Sequence, residues 1–146
     1  MNYKEIHQDI FTAKNFDFIA HCIASDFGMG AGIAVQFQKR FGIRSGLIEA
    51  AKYEDSSPGS CILSGNLFNL ITKRKSSGKP TYDTLRSSLI AMREQLGKIP
   101  FPLDSPKIIM PKIGCGLDRL QWGKVKEMLF DIFGNDDIEI TIYKWK

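Results

Sequence analysis

The spacing of apolar residues changes several times along the chain, and each change predicts an element. Residues 3–6 read as a short, edge-like strand. Residues 17–23 (DFIAHCI) read as a buried strand, an apolar run preceded by a turn at Lys14-Asn15. A glycine cluster, Gly28-Met29-Gly30-Ala31-Gly32, then opens into IAVQFQKRF. Ile33, Phe37 and Phe41 recur there at a spacing of four, which puts them on one face of a helix that Gly42 ends. Residues 47–53 read as a second short helix, and 54–59 as a loop by composition. Residues 60–63 and 67–73 flank Ser64-Gly65-Asn66 and read as the two strands of a hairpin. A basic loop covers 74–79, and Thr81 can cap a helix to about Leu96, with Leu85, Leu89, Met92 and Leu96 on its stripe. Residues 107–110 form a buried strand stopped by Pro111. After a second glycine loop, Gly114-Cys115-Gly116-Leu117, residues 121–133 form a helix burying Trp122, Val125, Leu129 and Phe133, and 137–143 alternate as a strand.

Strands alternating with helices predict an α/β domain: a mixed central sheet of about six strands sandwiched between helices. Without an internal repeat, a low-complexity tract or a linker, residues 1–146 read as one domain.

Composition narrows the function classes. The net charge of +4 and a pI near 9.0 suit an anionic ligand but fall short of a dedicated nucleic-acid binder. Cys22, Cys61 and Cys115 show no close pairing, so a reducing, cytoplasmic setting is expected. No apolar run reaches the roughly 18 residues of a membrane span, and the first residues lack a signal peptide's apolar core. With His7 and His21 the only histidines, and no Cys-x-x-Cys or His-Glu-x-x-His, no metal site is expected.

The two glycine loops carry the candidate chemistry. Each follows an apolar strand and precedes a helix, the position at which α/β sheets bind ligands. Such turns expose backbone N–H groups, and the helix dipole favours an anion. Two loops converging on one diphosphate is the sharper reading; the plainer one is that the glycines only make tight turns and helix ends. The first loop is G-x-G-x-G rather than G-x-G-x-x-G, and no G-x-x-x-x-G-K-[ST] is present, which disfavours dinucleotide-binding and P-loop domains.

Longer runs resemble a known family. His21-Cys22-Ile23, Met29-Gly30-Ala31-Gly32-Ile33-Ala34, Phe41-Gly42, Leu70-Ile71-Thr72-Lys73, Lys79-Pro80-Thr81-Tyr82, and Pro111 with the run from Ile113 through Gly114-Cys115-Gly116-Leu117-Asp118-Arg119-Leu120-Gln121 to Trp122 are similar to the macrodomain family. The match is strongest with the branch of terminal ADP-ribose protein glycohydrolases. The resemblance implies ADP-ribose bound above a mixed sheet, with no cofactor. Asp9 sits where the family places a carboxylate that accepts from the adenine amino group, with the Ile10 backbone beside it. The diphosphate loops map to Met29, Gly30, Ala31, Gly32 and Ile33 and to Gly114, Cys115, Gly116 and Leu117. His21 and Thr72 join the implied ligand-binding set, and Trp145 falls where the family has an apolar residue near the adenine.

The branch's catalytic lysine and aspartate carry over to Lys73 and Asp118. The lysine attacks the anomeric carbon of the ring-opened distal ribose, and the aspartate moves protons. An ammonium has no lone pair, so the chemistry needs the neutral amine, which the neighbouring charges of Arg74 and Lys75 favour. The implied activity is removal of ADP-ribose from ester-linked acidic side chains, with O-acetyl-ADP-ribose as a further substrate. ADP-ribosylated nucleic acid, ADP-ribose 1″-phosphate and plain recognition without turnover remain alternatives. The partners expected are ADP-ribose or ADP-ribosylated protein, for a monomer with no membrane association.

The chain departs from the family's pattern at Gln8, where a glycine is usual, and at Ala24, where a serine follows His-Cys-Ile. Ser25 does not replace that serine, because one step along an extended segment turns the side chain to the other side. Residue chemistry offers plainer roles beside the implied ones: a surface lysine for Lys73, a turn or helix cap for Asp118, a small loop residue for Cys115 and a satisfied structural histidine for His21.

Overall fold

Six strands form one sheet in the order β1-β6-β5-β2-β4-β3. A computed structural model describes residues 1–30, 32–100, 105–115 and 119–145. In chain order the elements are β1 (Asn2–His7), a 3-10 turn (Ile10–Thr12), β2 (Phe18–Ala24), α1 (Ile33–Phe41), α2 (Arg44–Ala50), β3 (Ser60–Ser64), β4 (Leu67–Lys73), α3 (Tyr82–Lys98), β5 (Lys107–Met110), α4 (Trp122–Phe133) and β6 (Glu139–Lys144). All neighbours pair in parallel except the hairpin β3–β4. Gly65 turns that hairpin with φ +60°, a conformation glycine adopts without strain.

Period-two alternation divides the sheet between two apolar layers. Phe18 and Ala20 of β2 and Phe68 and Leu70 of β4 face α3 and α4, where they meet Leu85, Leu89, Leu129 and Phe133. Ile19 and Ile23 of β2 and Leu67 and Ile71 of β4 face α1 and α2, where they meet Phe37 and Leu47. Central strands buried on both faces explain why β2 and β4 read as continuous apolar runs. The layered α/β architecture expected from the alternation of elements is the one observed.

Several details differ from the pattern. The second helix starts three residues earlier than periodicity predicts, because its core anchors are Ile43 and Leu47, while Tyr53 stays exposed beyond its end. In α1 only Phe37 is fully buried; Ile33 and Phe41 remain exposed at the edges of the stripe. Trp122 is half-buried rather than core, and its indole N–H donates to Glu5 at 3.4 Å. The 3-10 turn after β1 was not foreseen; Asp9 caps it by accepting from the Phe11 amide at 3.0 Å.

One irregularity bears on the site. Ile23 pairs with Ile71, but the next residue, Ala24, pairs with Lys73, so Thr72 is an extra residue on β4.

Candidate active site

A cleft of about 1020 Å³ opens beyond the carboxyl ends of β2, β4, β5 and β6. Loop residues reach it because a parallel sheet ends all its strands at one edge, and the connections to the covering helices start there. Among the residues singled out from the sequence, Asp9, Ile10, Met29, Gly30, Gly32 and Ile33 line it. So do Lys73, Gly114, Cys115 and Trp145. Four other positions, Ala31, Gly116, Leu117 and Asp118, lie outside the described residues.

Two expected ligand contacts are not brought into this cleft. His21 is fully buried on the α1 side of the sheet, its ring 4.3 Å from that of Phe37. Its Nε2 donates to Asn69 Oδ1 at 2.6 Å, and the Asn69 amide in turn donates to the carbonyls of Ile62 and Leu67. Burial holds the imidazole neutral and pushes its pKa down to about 4. Thr72 is buried too, with its carbonyl accepting from Thr84 Oγ1 at 2.7 Å. Alternation accounts for His21: its neighbour Cys22 lines the cleft instead.

The glycines have different reasons to be glycine. Gly32, the N-cap of α1, has φ +64°, and Gly114 has φ +73°. A Cβ on Gly114 would come within 2.8 Å of Leu120, so that turn is closed to side chains on packing grounds as well. Gly30 is unlike them: its φ is not in the positive region, and a Cβ there meets nothing within 4 Å. Neither turn geometry nor packing requires glycine at this position, which leaves open space along the cleft.

Cations dominate the lining. Among the described residues, Arg40, Lys73, Lys79, Lys112 and Lys144 are found there, with Asp9 the one acid. The Arg40 guanidinium stacks 4.5 Å above the Phe11 ring, and Phe11 packs edge-on against Phe37. Lys144 is held by Glu5 at 3.0 Å. The Tyr3 hydroxyl and Lys144 keep the Glu5 carboxyl near pKa 2, well below the usual range. The 74–79 loop is basic in sequence, but no local pattern places Arg40, Lys112 or Lys144 at the cleft. They come from separate segments, and only the fold assembles them. Ala24 lines the cleft, whereas Ser25 turns away and donates to the Ser56 carbonyl at 2.7 Å. No three His, Cys, Asp or Glu side chains among the described residues gather as a metal site requires.

No family model matches the chain. It is 42% identical over 138 residues to the ADP-ribose glycohydrolase OARD1 of Homo sapiens, covering 92% of this chain and 86% of that one. Among solved structures, the macrodomain of Mycobacterium tuberculosis DarG superposes with a TM-score of 0.82 at 19% identity, covering 97% of this chain and 96% of that one. Thermosipho africanus DarTG in complex with ADP-ribose superposes with a TM-score of 0.77 at 18% identity, covering 98% of this chain and 41% of that one. The sequence likeness over nearly the full length and the shared six-stranded layered fold together establish that this chain belongs to the macrodomain family.

Proposed function

We propose that this macrodomain is an ADP-ribosyl hydrolase that binds ADP-ribose in the cleft and releases it from ester-linked acidic side chains of ADP-ribosylated proteins. The observation that carries the reading is convergence: the 29–33 loop, Gly114 and Lys73 meet in one cation-lined cleft. Gly30 adds to it, because a glycine that the fold does not need suits a backbone approached closely by a phosphate. The 42% identical human relative, named an ADP-ribose glycohydrolase, supports the reaction class.

In this reading the adenine lies toward Asp9, Ile10 and Trp145, the diphosphate against the two glycine loops, and the distal ribose toward Lys73. The neutral Lys73 amine forms a bond to the anomeric carbon of the distal ribose while the bond from that carbon to the substrate carboxylate breaks, and the amine's proton passes to Asp118. The freed carboxylate leaves as the acidic side chain. Water then adds its oxygen to the anomeric carbon as the carbon–nitrogen bond breaks; Asp118 gives its proton to the departing Lys73 nitrogen and takes one from the water, and ADP-ribose is released. Lys73→Ala is expected to cut ester hydrolysis by about a hundredfold or more while ADP-ribose binding stays within threefold. Wild-type protein caught with substrate should show a lysyl adduct at Lys73 by mass spectrometry. A folded Lys73→Ala protein that hydrolyses at the wild-type rate rules the mechanism out.

A second reading keeps the site and changes the carrier. The basic run Lys73-Arg74-Lys75, with Lys79 in the loop that follows, suits ADP-ribose attached to a nucleic acid. Turnover of ADP-ribosylated single-stranded DNA, falling steeply as salt rises, would support it; turnover of modified protein alone would remove it.

A further inference from the structure

The two walls of the cleft nearest Lys73 are tied together by one carboxylate that does not itself line the cleft. Asp26 Oδ1 accepts from the Gly28 amide at 2.9 Å and from the Ser76 hydroxyl at 2.8 Å, while Oδ2 accepts from the Ser76 amide at 2.9 Å. Two main-chain bonds lead up to this tie: the Ser25 amide donates to the Lys73 carbonyl at 2.8 Å, and the Asp26 amide to the Arg74 carbonyl at 3.2 Å. The pairing of β2 with β4 thus continues beyond the strands, and the Asp26 side chain closes it.

The segment between the tie and the 29–33 loop leaves little freedom. Phe27 (φ +52°) and Met29 (φ +48°) both hold left-handed conformations that non-glycine residues rarely adopt, and both side chains are buried. A Cβ on Gly28 would lie 2.2 Å from Ser76 Oγ, so the two loops touch there without room for a side chain. Ser76 itself lines the cleft, as do Gly30 and Lys73 on either side of the contact.

We propose that Asp26 is a positioning residue, whose carboxylate fixes the separation between the 29–33 loop and the segment that carries Lys73 at the end of β4 and Ser76 after it. That separation sets the space in which the diphosphate and distal ribose are held. The ligand part of this proposal rests on the ADP-ribose reading; the tie between the loops does not.

Asp26→Asn tests both parts. An amide can satisfy at most two of the three donors and turns its own N–H groups toward the third. Dissociation constants for ADP-ribose and for AMP are measured alongside hydrogen exchange of the Gly28 and Ser76 amides. The expected result is at least fivefold weaker ADP-ribose binding, AMP affinity within twofold, and joint loss of protection at the two amides. Ser76→Ala should act in the same direction but less, and the double variant should be no worse than Asp26→Asn alone. Should Asp26→Asn perturb the overall fold, Ser76→Ala decides by the same three readouts. ADP-ribose affinity within twofold of wild type, or an equal loss for AMP, overturns the positioning role. If unaltered protein fails to bind ADP-ribose, the reading of the ligand falls, and with it the ligand part; unchanged protection of the two amides overturns the tie.

Discussion

His21 illustrates how one residue's surroundings set its chemistry. It stands next to a cleft-lining cysteine, but alternation turns its ring into the layer against Phe37, where only a neutral imidazole is tolerated. The usual histidine pKa of about 6.5 applies to the unfolded chain, and the folded value is about 4. Between these limits the unfolded state binds the extra proton, so stability is complete above about pH 6.5 and falls as the pH drops toward 4. The full loss should be on the order of 3 kcal/mol. Urea unfolding at pH 7 and pH 5 should show the decline for the wild type, and His21→Gln should flatten it. A steep decline retained in His21→Gln would assign the effect to other groups. A structural histidine in a buried strand was legible at His21; the ring's partner was not, because Asn69 lies 48 residues away.

Among the elements, α3 shows local signals agreeing with tertiary ones. Thr81 accepts from the Thr84 amide at 3.0 Å, and Thr84 Oγ1 accepts from the Thr81 amide at 3.1 Å, satisfying two donors at the helix start. Thr84 Oγ1 also donates to the Thr72 carbonyl at 2.7 Å, which ties the helix start to the irregular end of β4. Thr84→Ala is therefore expected to cost about 1–2 kcal/mol by chemical denaturation. A change under about 0.3 kcal/mol would mean that water replaces both bonds at no cost. This helix was legible because its cap and stripe lie in adjacent residues, although it runs two residues past Leu96. In α1 the same periodicity marked Ile33, Phe37 and Phe41 alike, and the choice of Phe37 as the buried one depends on β2 and β4 beneath it. Boundaries of α2 slipped for the same reason: its anchors are fixed by what they pack on, not by local pattern.

For the whole molecule, the sequence carried the order of elements and both glycine loops, whereas the cleft's cations come from five segments that only the folded sheet brings together. The binding proposal predicts a global effect. ADP-ribose at a hundredfold excess over its dissociation constant should stabilise the fold by about 2.7 kcal/mol. That corresponds to a rise in Tm of roughly 5–10 °C. Adenosine alone, which has no diphosphate for the loops, should give a much smaller rise. Equal shifts for both would argue against the anion-binding role of the loops. The slip in pairing at Thr72 has a reach beyond its own residue. Side chains on a strand count in twos, and Thr72 is one uncounted beat between Ile71 and Lys73. A regular continuation of β4 would set Lys73 opposite Ser25, which turns away, whereas the slip sets it opposite the cleft-lining Ala24. The presence of that amine in the cleft is thus a matter of chain arithmetic as much as of residue identity, and straightening the slip with Thr72 retained would turn the amine away with the lysine still in place.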